Sequence, residues 1–274
     1  MPFAPNARTA IGRGLMNTRP KIVVVANQKG GVGKTTTAVN LAASIAAAEK
    51  RTLVVDSDPQ GNASSGLGVR PRTVKRSLYE ALIGKATLAE VIQKTDIATL
   101  DLIPATQDLA GAEIEFVDLP DRVERLRKTL AVLAGDPPPY EFVFIDCPPS
   151  LGLLTLNALV AADRVIVPLQ CEYYALEGLT HLMATIDRVK GAYNPGLAVE
   201  GIVLTMFDPR NNLAHEVATE VRRHFRVFEA VIPRNVRLSE APSHGKPVLL
   251  YDAQSKGAQG YLSLAREVIE AGGA

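Results

Sequence analysis

Short runs of apolar residues recur along the chain, separated by longer stretches in which apolar residues return with helical spacing. Within the short runs the apolar residues are consecutive rather than alternating, which is typical of strands buried on both faces of a parallel sheet. The pattern therefore predicts parallel strands at Ile22–Ala26, Leu53–Val55, Leu100–Ile103, Phe142–Ile145, Val165–Val167 and Ile202–Leu204.

The stretches between these runs predict helices with one apolar face. Thr35–Ala48, for example, places Leu41 and Ile45 on the same face, and the other helices are predicted at Asp121–Leu133, Leu176–Lys190 and Leu213–Phe225. Alternation of strands and helices indicates an α/β fold of the doubly wound kind, in which helices cover both faces of a mostly parallel twisted sheet.

The domain organisation follows from the same pattern. No repeat or low-complexity linker interrupts residues 21–274, so we expect a single domain there. Residues 1–20 contain three arginines and no acidic residue, and they lack the apolar core of a signal peptide. We expect a flexible basic tail, and Met16 is an alternative start of the protein.

Composition excludes several classes of function. Lys and Arg total 30 against 29 for Asp and Glu, so any contact with nucleic acid needs a local basic patch. No apolar run approaches the roughly 18 residues of a membrane-spanning helix, which excludes a membrane-embedded protein. Two cysteines outside a C-x-x-C pair and four scattered histidines indicate neither a disulfide framework nor a metal-ligand cluster. A reducing cytoplasm is the expected location.

A glycine-rich loop, Asn27–Thr36, directly follows the first predicted strand and precedes a helix. In this context the glycines let backbone N–H groups face phosphate oxygens, and the helix N-terminus adds the positive end of its dipole. Lys34 is placed to reach the β- and γ-phosphates of a nucleotide, and the Thr35 hydroxyl to ligate Mg²⁺. One departure from the usual loop is Gln28, which stands where glycine is expected and is followed by a second lysine, Lys29.

Acidic residues follow two of the predicted strands. Asp56 and Asp58 come after the second strand, and Asp146 comes after the fourth. Because ligands bind at the carboxyl ends of the strands in such sheets, these carboxylates are expected beside the glycine-rich loop. Asp146 is the candidate for holding a Mg²⁺-bound water next to Thr35.

Four segments together resemble the ParA/MinD family of P-loop ATPases. Lys29–Thr35 is similar to the deviant Walker A motif of that family, Asp58–Asn62 to its switch I and Pro148–Gly152 to its switch II. Ile232–Pro247 closely matches the ParA/Soj branch, which partitions chromosomes or plasmids. The resemblance covers nearly the whole chain, from about residue 21 to residue 270.

The resemblance implies a P-loop ATPase that uses ATP and Mg²⁺, with roles for particular residues. Lys29 corresponds to the lysine that crosses a dimer interface to touch the partner's nucleotide. Asp58, with Asp56 as the weaker candidate, corresponds to the aspartate that orients or activates the attacking water. Pro233 and Asn235 correspond to residues that contact the adenine. The catalytic candidates are thus Asp58, Lys29 and Lys34, and the remaining nucleotide-binding candidates are Gly30, Gly31, Val32, Gly33, Thr35, Thr36 and Asp146.

DNA binding is implied by the resemblance rather than by charge. Residues 205–246 contain seven cationic and five acidic side chains, a bias that an ordinary solvated surface also explains. In the family, an arginine-rich C-terminal region binds DNA without sequence preference. The match assigns such contacts to Arg237 and Arg210, and additionally to Arg222 and Arg223. No recognition-helix motif is present, so we do not expect the protein to recognise specific DNA bases.

The function implied is an ATP-driven partition switch. An ATP-bound homodimer holds nonspecific double-stranded DNA of the nucleoid, and hydrolysis stimulated by a ParB-like centromere-binding partner releases it. A related ATPase positioning another cargo shares all these motifs and stays an alternative. A MinD-like membrane switch is disfavoured because the terminal segment Tyr261–Glu270 has a net negative charge. A redox ATPase, in which Cys147 and Cys171 of two chains hold a shared metal cluster, is a further alternative. The competing interpretation is that both cysteines are ordinary free thiols.

Overall fold

The computed structural model describes residues 19–135 and 139–272, where eight strands form one sheet. The strands lie in the order β3-β4-β2-β5-β1-β6-β7-β8, and every neighbouring pair is parallel except β3 and β4. Their bounds are β1 Lys21–Val25, β2 Thr52–Asp56, β3 Gln93–Lys94, β4 Leu100–Ile103, β5 Phe142–Asp146, β6 Arg164–Gln170, β7 Ala198–Phe207 and β8 Val227–Pro233. Residues 1–18 of the predicted tail lie outside the described residues.

Twelve α-helices connect or flank the strands in the described residues. Within those residues, none of the helices combines the length and the apolar character that crossing a bilayer requires. Their bounds are α1 Lys34–Ala47, α2 Asn62–Gly66, α3 Leu78–Leu82, α4 Leu88–Val91, α5 Leu109–Glu115, α6 Arg125–Leu130, α7 Leu153–Ala161, α8 Ala175–Ala192, α9 Asn212–His224, α10 Val236–Glu240, α11 Val248–Tyr251 and α12 Lys256–Gly272.

Two hydrophobic cores, one on each face of the sheet, explain why the strand sequences are continuously apolar. In β1, Ile22 and Val24 pack into one core, and Val23 and Val25 pack into the other. Helices α7, α8 and α9 contribute to the first core, and α1 and α12 to the second. The doubly wound α/β fold predicted from the sequence is confirmed.

All six predicted strands and the four predicted helices are present, but the second helix is shorter than predicted. It begins at Arg125 and ends in a 3₁₀ turn, whereas the prediction began at residue 121. The side chain of Asn157 accounts for the difference, because it accepts a hydrogen bond from the Leu126 N–H (3.2 Å) and donates one to the Arg122 carbonyl (2.7 Å). These two backbone groups would bond each other if the helix began earlier.

The sequence pattern did not reveal the two edge strands, β3 and β8. Strand β3 has two residues, and β8 alternates between buried and more exposed positions around Glu229. The Glu229 and Ala230 N–H groups donate to the Glu267 carboxylate of α12 (3.0 and 2.7 Å). Capping of edge amides by a charged side chain protects a sheet from pairing with another chain.

Candidate active site

The carboxyl ends of β1, β2 and β5 lie side by side in the centre of the sheet, and the glycine-rich loop leaves β1 there. Gly33 immediately precedes α1 and has a φ of 86°, a left-handed conformation that glycine adopts without strain. Among the described residues no side chain caps the first turn of α1. The N–H groups of that turn are therefore suited to an anion such as phosphate.

A cavity of about 460 Å³ opens above the first turn of α1, and we call it the Lys34 cavity. It brings together candidates from three distant parts of the chain: the loop, the end of β2 and the end of β8. The predicted residues on its wall are Gly30, Gly31, Gly33, Lys34, Thr35, Thr36, Asp58, Pro233 and Asn235. Val32 is instead buried, and its carbonyl accepts a hydrogen bond from the Thr205 hydroxyl (2.9 Å).

Lys34 is buried, with 7% of its surface exposed, and its ammonium donates to the Lys29 carbonyl at 3.0 Å. Burial lowers the pKa of Lys34, and the nearby carboxylate of Asp146 partly opposes this effect. The backbone of the loop thus holds a cation at the base of the cavity.

Asp146 is fully buried at the end of β5. Burial, and then the neighbouring Asp56, raise its pKa well above the ordinary value, while the Thr35 hydroxyl and Lys34 act in the opposite direction. Thr35 is thus close to the carboxylate, yet neither Asp146 oxygen accepts a hydrogen bond of standard geometry within the described residues. A buried carboxylate with free oxygens beside a hydroxyl is a donor set that fits Mg²⁺ or its bound water.

The two aspartates at the end of β2 have different surroundings. Asp56 is fully buried, and its Oδ2 accepts hydrogen bonds from the N–H and the hydroxyl of Ser64, both at 2.7 Å. Burial raises the pKa of Asp56 to about 6. Asp58 lies on the wall of the Lys34 cavity, and its Oδ1 accepts from the Gln60 N–H at 2.9 Å. The geometry thus favours Asp58 over Asp56 as the residue that faces a ligand.

The wall of the Lys34 cavity also contains residues that the sequence did not single out. Thr205 and Met206, at the end of β7, and Tyr261 of α12 lie on its wall. Met206 has a φ of 49°, which is uncommon for a non-glycine residue and typical of functional sites. The Tyr261 hydroxyl is hydrogen-bonded to Thr37 of α1 at 3.1 Å. The rule that ligands lie at strand carboxyl ends could have identified Met206.

Lys29 lies outside the Lys34 cavity. Its side chain is 39% exposed and forms an ion pair with Glu172, in the turn between β6 and α8. A second cavity of about 360 Å³, the Lys29 cavity, opens on this side of the loop and is also lined by Tyr174 and His181 of the following segment. The two lysines of one loop therefore face different cavities.

The structure does not bring the four candidate arginines into one cluster. Arg210 and Arg237 follow the ends of the neighbouring strands β7 and β8. Arg222 and Arg223 lie in the last turn of α9, which is about 15 Å along that helix from the end nearest Arg210.

Three of these arginines form ion pairs with carboxylates. Arg210 pairs with Asp208 at 2.9 Å, Arg223 with Glu220 at 2.8 Å, and Arg237 with Glu240 at 2.8 Å. The bound Arg210 lowers the pKa of Asp208 to about 2. Nearby acids thus reduce the local positive charge.

Both cysteines, Cys147 and Cys171, are free and buried. Within residues 19–135 and 139–272 there is no group of three or more His, Cys, Asp or Glu side chains arranged to hold a metal ion. Because both thiols are buried, a metal cluster shared between two chains is disfavoured, since such a cluster requires thiols at the surface of each chain.

Comparisons with known proteins cover nearly the whole chain. Residues 20–199 match the family described as AAA domain. The chain is 57% identical over 265 residues to the chromosome partitioning protein ParA of Myxococcus xanthus, covering 95% of this chain and 93% of that protein. It is 54% identical over 250 residues to the sporulation initiation inhibitor protein Soj of Bacillus subtilis, covering 90% and 98%. Cobyrinic acid a,c-diamide synthase from Mycobacterium smegmatis, solved with bound ADP and magnesium, has a TM-score of 0.81 and 36% identity, covering 93% of this chain and 96% of that chain.

Proposed function

Because the chain belongs to the ParA/Soj family of chromosome-partitioning ATPases, we propose that ATP converts it from a monomer into a DNA-bound dimer. Family membership makes the chain a P-loop ATPase, which hydrolyses ATP to ADP and phosphate. The observation that supports this site best is the buried Asp146 carboxylate beside Thr35, a wall residue of the Lys34 cavity; within the described residues the Asp146 oxygens have no hydrogen-bond partner of standard geometry.

The phosphates of ATP bind at the N-terminus of α1. Lys34 neutralises the β- and γ-phosphates, and the N–H groups of Gly31, Gly33 and Thr35 surround them. Thr35 would ligate Mg²⁺, and Asp146 would hold a water molecule bound to the ion. When bound, Mg²⁺ neutralises charge that develops on the phosphate oxygens during transfer.

Hydrolysis requires a water molecule in line with the bond that breaks, and positioning supplies most of the catalysis in phosphoryl transfer. Asp58 orients this water. Its place on the cavity wall and the hydrogen bond from the Gln60 N–H support the assignment. Pro233 and Asn235, which also lie on the cavity wall, contact the adenine.

Lys29 completes the nucleotide site of a second chain. Its side chain is half-exposed and lies outside the Lys34 cavity of its own chain, which supports a role between chains. Two ATP molecules are then enclosed between two chains, and a dimer forms only when ATP is present.

The dimer binds double-stranded DNA without sequence preference, through Arg210 and Arg237 and, in addition, Arg222 and Arg223. Arg210, Arg223 and Arg237 exchange their carboxylate partners for phosphates, and the phosphate contacts make binding strongly salt-dependent. A ParB-like centromere-binding partner stimulates hydrolysis and releases the DNA. The protein is therefore cytoplasmic and associated with the nucleoid.

Light scattering after size-exclusion chromatography, combined with DNA mobility shifts, tests this function. We expect a monomer with ADP, a dimer with a slowly hydrolysed ATP analogue, and binding of unrelated duplexes by the dimer alone. Cosedimentation with anionic vesicles is the control for a membrane switch. ATP-dependent vesicle binding without DNA binding would contradict the proposal.

A further inference from the structure

We propose that Glu172 is a positioning residue that holds Lys29 in the single chain and thereby weakens dimerisation of the ATP-bound protein. This inference rests on the proposed function, in which Lys29 contacts the nucleotide of a second chain. To make that contact, Lys29 must leave Glu172, so each dimer that forms breaks two such ion pairs.

The backbone beneath Lys29 is connected to the strand that precedes Glu172. The Lys29 N–H donates to the Asn27 side-chain oxygen at 3.0 Å, and the Asn27 amide donates to the Pro168 carbonyl of β6 at 2.7 Å. Asn27 and Pro168 are both buried. The start of the loop and the end of β6 are therefore held together.

The backbone of Glu172 is also fixed. Its N–H donates to the Gln170 carbonyl, and its carbonyl accepts from the Ala175 N–H at the start of α8, both at 2.9 Å. Only the two side chains are free to move, because both are partly exposed, at 39% for Lys29 and 46% for Glu172. The ion pair can thus break without rearrangement of the backbone.

The strength of the pair suits control rather than prevention of dimerisation. A partly exposed ion pair changes an equilibrium by about 1.4- to 5-fold. Since two pairs break in each dimer, removal of the Glu172 charge should lower the dimer dissociation constant by roughly 2- to 30-fold. The wild-type protein then requires a higher concentration to dimerise than it would without the Lys29–Glu172 ion pair.

Sedimentation velocity with a saturating, slowly hydrolysed ATP analogue tests this with Glu172→Gln, which keeps the shape and removes the charge. The matched control is Glu177→Gln, because Glu177 lines the Lys29 cavity without pairing with Lys29 in the described residues. We expect tighter dimerisation for Glu172→Gln alone. At about 1 M salt, where the Debye length is about 3 Å, the difference from wild type should shrink.

Several results would overturn the inference. Dimerisation of Glu172→Gln that is unchanged or weaker, in protein with a wild-type unfolding midpoint, contradicts it, and Glu172→Ala replaces this variant if it folds poorly. The double variant Lys29→Ala/Glu172→Gln should stay monomeric, because Glu172 acts through Lys29. If the double variant formed a dimer, Glu172 would instead repel the second chain directly, and the inference would be wrong. A wild-type protein that stays monomeric with ATP refutes the proposed function first, and this inference with it.

Discussion

The Lys34 cavity and the Lys29 cavity are lined by different residues of one loop, and they differ in how their lysines are held. Lys34 is buried and bonded to the loop backbone, whereas the Lys29 side chain is partly exposed and paired with a side chain from another segment. A backbone partner fixes the first lysine inside its own chain. A partly exposed side-chain partner leaves the second lysine able to exchange it for another anion.

This comparison teaches that residue type and spacing in a loop do not determine what a lysine contacts. Only four residues lie between the two lysines, and the turn that the glycines make there directs the lysines to different cavities. As proposed, Lys34 acts on the nucleotide of its own chain, whereas Lys29 acts on the nucleotide of a second chain. Substitutions on the two sides should therefore have separable effects.

The largest expected effect is that of Lys34→Ala. Removal of a buried charge that neutralises phosphate costs about 2–5 kcal/mol, so ATP affinity should fall by roughly 30-fold or more, with loss of dimerisation and hydrolysis. Calorimetric titration with ATP measures this, with Lys50→Ala as a surface control. Unchanged ATP affinity would remove Lys34 from the phosphate site.

Asp58→Ala should retain ATP binding and lose hydrolysis by about 10²- to 10⁴-fold, since a group that positions or activates water contributes on this scale. The variant should accumulate as an ATP-bound dimer on nonspecific DNA. Phosphate release and light scattering provide the two measurements, and Asp187→Ala on the exposed face of α8 is the control. If Asp58→Ala remained monomeric at saturating ATP, it would contradict the proposal that ATP binding, before hydrolysis, drives dimerisation.

Lys29→Ala should have the opposite effect to Asp58→Ala on dimerisation. Its ATP affinity as a monomer should match the wild type, because Lys29 lies outside the Lys34 cavity. Dimerisation and DNA binding should be lost. Light scattering with and without ATP distinguishes it from Lys34→Ala, and an ATP-dependent dimer of Lys29→Ala would show that the lysine does not act between chains.

Arg237→Ala, and to a smaller extent Arg210→Ala, should weaken binding to any duplex and leave ATP-dependent dimerisation intact. Each lost phosphate contact should reduce the log–log slope of affinity against salt by about 0.9. Fluorescence anisotropy over a range of salt concentrations measures the slope, with exposed Arg188→Ala of α8 as the control. Lost dimerisation with normal DNA affinity per dimer would make Arg237 an interface residue instead.

The smallest effect is expected for Thr205→Val, which removes the hydrogen bond to the Val32 carbonyl between the two cavities. Loss of one hydrogen bond with near-constant shape should lower the free energy of unfolding by about 1 kcal/mol. Urea unfolding measures this change. A loss of ATP binding as large as that of Lys34→Ala would show that the loop itself requires this contact.

The sequence by itself determined the strands buried on both faces, the helices with one apolar face and the loop that begins α1. These features depend on periodicity or on consecutive residues, so they are readable without knowledge of the rest of the chain. The position of Asp146 at a strand end was predictable for the same reason. The resemblance to the ParA/MinD family added the residues proposed to act between chains and on DNA.

Only the tertiary structure decided which distant residues meet. It placed Thr205, Met206 and Tyr261 on the wall of the Lys34 cavity, and paired Lys29 with Glu172, which lies 143 positions away. It also revealed edge strand β8, in which two amides, those of Glu229 and Ala230, donate to a helix carboxylate. Strand order and side-chain pairing depend on contacts between segments remote in sequence, and no local pattern along the chain specifies those contacts.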